Sequence, residues 1–296
     1  MELSHFGRNP DEGDDLKLLN NLTPIRTYLI IEGRPQNQPG RGSGRLSGQT
    51  PRRTSAGRGR RRKGAQRTGQ EPAIGIIEDC MTTPPAQPKV YHITHVDNLA
   101  SIVAAGCIEA DSRRIGRGVE QTSIGMTDIK RRRLFEIDVL CHPGTKVGEY
   151  VPFYFCPRSI MLFILYKNNH PDMSYRGGQE PILHLQMNME STIRWANENG
   201  VLWAFSDRNA GGYLADFFKN PLELDKIDWD AIKARDFRNM QIQEGKQAEF
   251  LIHDTCPWQL VEKIGVLNEK IRNQVNGILK NARHKPVVTI ERAWYY

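Results

Sequence analysis

Residues 246–258 read "KQAEFLIHDTCPW". Phe250, Leu251 and Ile252 form a β-branched and aromatic run that predicts a buried strand over 249–253. Glu249 stands at the mouth of that run, and a long polar stretch, 207–248, precedes it. A charge in this position has two readings. It is a solvated strand-end glutamate, or it is a carboxylate held at a sheet edge beside a cleft.

The rest of the globular pattern builds outward from this strand. Further strands are predicted at 90–94, 151–155, 181–186, 201–205 and 287–290. Asp97 is placed to cap a helix that ends at Gly106, with Leu99, Ile102 and Val103 on one face. Helices are also predicted at 124–135, 159–167 and 269–281, the last with Ile271, Val275, Ile278 and Leu279 at helical spacing. Strands and helices mix without strict alternation, so the fold class is α+β rather than a doubly wound sheet. The stretch 207–248 is broken by Gly211, Gly212 and Pro221, and long polar connections of this kind often carry function. Short helices are expected within it at 213–218 and 229–234.

Ahead of this region the composition changes. Residues 36–70 are rich in Gly, Arg, Pro, Ser and Gln and nearly free of apolar side chains, a composition that favours disorder. Residues 1–80 carry 14 Lys/Arg against 9 Asp/Glu, a net of +5; residues 81–296 carry 27 against 25, a net of +2. The basic character of the chain therefore belongs mainly to its first 80 residues. These read either as a nucleic-acid arm, with Arg60–Lys63 on phosphates, or as a dispensable extension ahead of a working domain over 81–296. The second reading is favoured. Five scattered cysteines without CxxC spacing point to free thiols and no metal site. No apolar run approaches the roughly 20 residues needed to span a bilayer, and no signal peptide is present, so an intracellular setting without a membrane is expected.

Several other residues invite chemistry. On a strand at 90–94, His92 and Thr94 share one face, fit for a ribose or an amide. A hydrogen-bonded core histidine is the plainer alternative. In "KRRR" at 130–133, one arginine is expected to turn inward beside Ile129 and to need an anion, either a carboxylate or a pyrophosphate.

Five blocks, "VYHITHVDNLASIV", "IKRRRL", "YVPFYFCPRSIML", "GGQEPILHL" and "KQAEFLIHDTCPW", resemble in order and spacing the DarT DNA ADP-ribosyltransferase toxins. The resemblance runs from about residue 89 to the C-terminal "WYY". It implies an ADP-ribosyltransferase fold, with two facing β-sheets around an NAD cleft. It implies transfer of ADP-ribose from NAD to thymine N3 in single-stranded DNA, with nicotinamide released. It also implies a DarG-like macrodomain antitoxin as partner and a bacterial cytoplasmic setting. NAD would be the donor substrate, with no metal and no permanently bound cofactor.

By this resemblance Glu249 and Arg133 match the catalytic positions, with Arg132 as the near alternative to Arg133. His92, Ile93, Thr94 and Ser101, again with Arg133, match the NAD-contacting positions. Lys246 and Asn209 fall in the loop that should meet DNA; Arg132, Arg158 and Tyr154 are further candidates for that contact. The family often has a histidine where this chain has Asn209. Tyr213, Phe217 and Phe218 give the loop aromatic rings that could grip an unpaired base. The alternatives are an acceptor that is RNA, another base or protein, and a non-catalytic nucleic-acid-binding module.

Overall fold

The computed structural model describes residues 83–118 and 122–296. The basic segment 36–70 and the boundary expected at residue 81 lie outside the described residues. The strands are β1 (Lys89–His95), β2 (Cys107–Glu109), β3 (Tyr150–Tyr154), β4 (Ile182–Asn188), β5 (Trp203–Ser206), β6 (Phe217–Phe218), β7 (Glu249–His253), β8 (Thr255–Pro257), β9 (Lys263–Val266) and β10 (Val287–Ile290). The main sheet runs β10-β9-β4-β1-β3-β7-β5-β6, and β2 pairs separately with β8. Only the β9–β10 pair in the main sheet is parallel. Strands β1 and β3 meet through the single pair Tyr91↔Tyr154. The sheet is thus two four-stranded halves joined at a narrow seam, and the α+β class is as expected.

The opening stretch folds as its pattern predicts. Strand β7 lies between β3 and β5, and Phe250, Leu251 and Ile252 are fully buried. Alternation sends Phe250 and Ile252 into the largest apolar cluster, with Phe153, Phe205 and Trp203. Leu251 faces the other way, among Val139, Val147, Tyr150 and Ala210. Glu249 shares that second face by the same alternation. Asp254 ends the strand in a left-handed turn at φ 61°, a conformation that Asp tolerates better than most residues.

The helices are α1 (Leu99–Ala105), α2 (Asp111–Gly116), α3 (Thr127–Phe135), α4 (Ile160–Lys167), α5 (Met189–Glu198), α6 (Trp229–Lys233), α7 (Met240–Gly245) and α8 (Glu269–Leu279). Among the described residues no helix is long and apolar enough to cross a membrane. Three expectations need correction. Asp97 does not cap α1; it sits inside a 3-10 turn over Val96–Asn98, where the His95 ring accepts from its N–H. The helix expected from residue 124 begins at Thr127. No helix forms at 213–218. Instead Phe217 and Phe218 add an edge strand to β5, with Phe218 stacked on Phe205 at 5.2 Å, so ring packing outweighs local helix propensity.

Behind the sheet seam lies a histidine kept neutral by burial. His184 on β4 is fully buried between Trp294 and Tyr295, and its Nε2–H donates to the Pro157 carbonyl at 2.9 Å. Its Nδ1 is buried with no hydrogen-bond partner among the described residues. Burial lowers its pKa to about 4. Below pH 6.5 the unfolded chain takes up a proton that the folded chain refuses, so stability falls as pH falls towards 4. The loss expected from this one residue is about 3 kcal/mol at pH 4, at 1.36 kcal/mol per pH unit. Urea unfolding at pH 7.5 and pH 4.5 checks it. A His184→Gln variant should lose less stability between the two pH values than the parent, and equal losses would rule the histidine out as the cause.

Candidate active site

A cavity of about 530 Å³ opens at the seam between β1, β3 and β7. That is within the range of small-molecule sites, roughly 300–1,000 Å³. Each wall comes from a different element. Strand β1 supplies His92, Ile93 and Thr94; α1 supplies Ser101; α3 supplies Arg133; β3 supplies Tyr154; the polar loop ahead of β7 supplies Asn209; and β7 supplies Glu249. The chain therefore brings together, around one cavity, eight residues that lie 157 positions apart at the extremes.

Glu249 is only 3% exposed. Its main-chain N–H donates to Ser206 Oγ at 3.1 Å, which fixes the strand end on β5. Both carboxylate oxygens accept from Arg133 Nη1, at 2.9 and 3.0 Å, and Oε1 also accepts the Ala210 N–H at 3.0 Å. The inward arginine foreseen in "KRRR" is thus Arg133, and its anion is this carboxylate. Burial opposes the guanidinium charge, but Glu249 more than restores it, so the Arg133 pKa stands above its usual value. Arg133 Nη2 is buried and has no hydrogen-bond partner among the described residues. A donor left over beside a cavity awaits an acceptor.

The local sequence explains how the pair is assembled. The loop after β5 must pass close over α3 to hand the Ala210 N–H to Glu249. A side chain at Gly211 would stand 3.2 Å from Ile129 Cγ2 and 3.3 Å from Arg133 Cγ, so glycine permits the approach. Tyr154 lies opposite Glu249 in the β3–β7 register. Burial pushes its phenol pKa well up, and the Glu249 charge adds to the rise.

On the β1 side, the His92 ring bonds the Pro152 carbonyl through Nδ1 at 2.9 Å, and burial holds its pKa down to about 4. The ring is therefore neutral at pH 7, with Nδ1–H donating. Thr94 Oγ1 accepts from Asn98 Nδ2 at 3.1 Å, and Ser101 Oγ donates to the Asn98 carbonyl at 2.8 Å. Further along the wall stand Asp111 and Arg114, which the sequence reading did not single out, and Lys130, the first residue of the "KRRR" run. Lys130 Nζ donates to Ser123 Oγ at 2.8 Å and lies 3.8 Å from Asp111. Burial lowers the Lys130 pKa, and Asp111 partly offsets this. Among the described residues no group of three or more His, Cys, Asp or Glu side chains is placed to hold a metal ion.

Three expected site residues lie elsewhere. Lys246 is 2% exposed, and its Nζ donates to the Ile232 carbonyl at 2.8 Å. It ties α6 to the loop before β7 and lies inside the fold rather than at the surface. Arg132 does not line the cavity and lies 5.7 Å from the Tyr213 ring, whereas Arg133 lines it. Arg158 lies 4.2 Å over the Tyr296 ring at the C-terminus and does not line the cavity. Gln247 was overlooked. Its signal was available, since residues two apart in an extended chain share a face and Glu249 was already marked.

Comparison with known proteins places the chain in a family. Residues 91–296 match the family model described as "DarT: ssDNA thymidine ADP-ribosyltransferase, DarT". A DNA ADP-ribosyl transferase of Thermus sp. (strain 2.9) is 38% identical over 217 residues, covering 72% of this chain and 99% of that protein. The solved structure of Thermus sp. 2.9 DarT in complex with NAD+ matches at 37% identity with a TM-score of 0.61, over 72% of this chain and 100% of that one. The same protein in complex with ADP-ribosylated ssDNA matches at 37% identity with a TM-score of 0.65, over 73% and 99%. Taken with the α+β fold and the buried carboxylate at the head of β7, this shows that the chain belongs to the DarT family of single-stranded-DNA thymidine ADP-ribosyltransferases.

Proposed function

We propose that this enzyme transfers ADP-ribose from NAD to N3 of thymine in single-stranded DNA, with Glu249 as the catalytic carboxylate and Arg133 as its partner. The observation that carries the reading is the buried Glu249–Arg133 pair on the cavity wall, with one guanidinium nitrogen unspent. His92, Ile93, Thr94 and Ser101 would hold the donor on the β1 side, and Arg133 would reach its pyrophosphate or the acceptor base through Nη2. In the reaction the ribose C1′–nicotinamide bond breaks, its electron pair leaves with nicotinamide, and positive charge develops on the ribose. A buried carboxylate stabilises that charge, because it is fixed in place and little screened by water. The N3 lone pair then forms the new bond to C1′, and the N3 proton passes to the carboxylate.

N3 lies on the Watson–Crick edge, which a duplex hides. Extruding a paired base costs a few kcal/mol, and residues 81–296 carry a net charge of only +2 with which to offset it. Labelling from NAD should therefore be strong on a single-stranded thymine oligonucleotide, weak on its duplex, and absent where N3 is methylated. Labelling of the N3-methyl substrate would contradict the N3 assignment.

We further propose that residues 81–296 hold the whole activity, supported by the match of nearly the full length of the Thermus relative to 72% of this chain. A chain begun at Met81 should melt at the same temperature and label DNA at a similar rate, and loss of either would refute this. Family membership supports a macrodomain antitoxin of the DarG type as partner and the bacterial cytoplasm as setting. Adding such a macrodomain to labelled DNA should remove the label.

A further inference from the structure

At the end of β1 the chain turns back on itself. The 3-10 turn over Val96–Asn98 brings Asn98 within hydrogen-bond reach of Thr94, four residues earlier. Asn98 then stands at the N-cap of α1, where an asparagine ordinarily accepts from the first free N–H groups of the helix. This one does not. Its backbone is already helical, at φ −78° and ψ −16°, and its side chain makes no capping bond. The amide is 5% exposed and is spent elsewhere.

Asn98 joins three walls of the cavity. Its Oδ1 accepts the Thr122 N–H at 2.9 Å and its Nδ2 donates to the Thr122 carbonyl at 3.0 Å, the pairing that one peptide group makes with another. The second Nδ2 hydrogen goes to Thr94 Oγ1 at 3.1 Å. Ser101 Oγ donates to the Asn98 carbonyl at 2.8 Å. Thr94, Asn98, Ser101 and Thr122 all line the cavity, and Thr122 leads through residues 123–126, also on its wall, into α3 with Arg133. A lone amide can turn end for end, which exchanges its donor and acceptor. This one cannot, because the Thr122 main chain offers one donor and one acceptor of fixed polarity. Asn98 therefore always donates to Thr94. An NH2 group accepts nothing, so the Thr94 hydroxyl must aim its own hydrogen elsewhere. Among the described residues Thr94 Oγ1 makes no other hydrogen bond.

We propose that Asn98 is a positioning residue for the donor substrate. It turns the Thr94 O–H into the cavity to donate to an oxygen of NAD, and it fixes the Thr122 main chain as the wall beside that contact. This rests on the donor reading above, in which Thr94 holds NAD, and adds how the hydroxyl is oriented. NAD carries acceptor oxygens on its riboses, pyrophosphate and carboxamide, any of which can take that O–H. A donor already aimed loses little rotational freedom on binding, which favours affinity. Asparagine suits both tasks because one short stem carries a donor pair and an acceptor; aspartate would lose both N–H groups.

The test separates donor binding from acceptor binding and from turnover. Asn98→Ala, Thr94→Val and the double variant are compared with the unaltered full chain. Initial rates are measured against NAD at saturating thymine oligonucleotide, then against oligonucleotide at saturating NAD. In Asn98→Ala the KM for NAD is expected to rise about tenfold, the scale of one lost hydrogen bond. The KM for oligonucleotide and kcat should each change by less than about threefold, the pattern of lost substrate binding. Thr94→Val should raise the KM for NAD as well, and the double variant should be no worse than Asn98→Ala, since the two residues share one bond. An unshifted KM for NAD in Asn98→Ala, or an equal rise in both KM values, would overturn the proposal. So would full additivity of the two substitutions, which would mean that Asn98 does not act through Thr94. If Asn98→Ala melts below the assay temperature, Asn98→Asp takes its place. It keeps Oδ1 for the Thr122 N–H and has no N–H for Thr94, so the same rise is expected and its absence would overturn the role. If the unaltered enzyme transfers no label from NAD, the donor reading itself fails; saturable labelling with an unshifted KM in the variants removes Asn98 alone.

Discussion

Glu249→Gln is expected to fold and to lose ADP-ribose transfer by about 100-fold or more, the usual cost of removing a placed electrostatic stabiliser. Glutamine keeps an oxygen for the Ala210 N–H and for Arg133 Nη1, so the shape of the strand end survives. What it loses is the charge that meets the developing cation. The substitution is not free of structural cost, since Arg133 then keeps a buried charge without its counter-ion. A solvated strand-end glutamate could be removed for about 1 kcal/mol or less. Burial of Glu249 to 3% exposure changes that, and Glu249→Ala should be clearly less stable than Glu249→Gln. Initial rates of DNA labelling, alongside urea midpoints, check both statements. Near-normal turnover in Glu249→Gln would return the residue to a structural role.

The largest effect on stability is expected at the partner. Arg133→Met leaves the Glu249 carboxylate buried with only the Ala210 N–H, and breaking a buried ion pair from one side costs about 3–5 kcal/mol. Transfer should be lost as well, because the carboxylate is then no longer held in place by the arginine. The double variant Arg133→Met/Glu249→Gln separates the two effects. It should recover much of the lost stability, since no unpaired charge remains, and none of the activity. A double variant as unstable as Arg133→Met alone would mean that the arginine acts through packing of its stem, not through the pair.

Why some of this was visible in the sequence, and some was not, follows from the range of the interactions. Strand β7 was legible because period-two burial and its apolar run are local, and α8 because its apolar stripe is. The inward turn of Arg133 was legible from its spacing to Ile129, but its partner lies 116 residues away, and no local pattern names it. The burial of Lys246 was hidden for the converse reason. A lysine beside a polar loop is normally solvated, and only the tertiary approach of the Ile232 carbonyl, 14 residues earlier, draws it inside. Strands β2, β8 and β9 are short, and they are held by long-range pairing rather than by propensity. The aromatic pair Phe217–Phe218 went to an edge strand because Phe205 offered a ring to stack on. Block order and spacing resembling a family carried what periodicity could not, which was the family itself and with it the role proposed for Glu249.

The central claim is that the carboxylate at the head of β7 serves transfer from NAD to thymine in single-stranded DNA. The most direct measurement incubates the protein with NAD labelled in the adenylate part and four single-stranded DNA oligonucleotides, each with one type of base at a central position, beside the matching RNA and a protein fraction. Label confined to the thymine DNA strand, and lost with Glu249→Gln, is the predicted result. Label on RNA, on another base or on protein instead, or thymine labelling that survives Glu249→Gln, would contradict it.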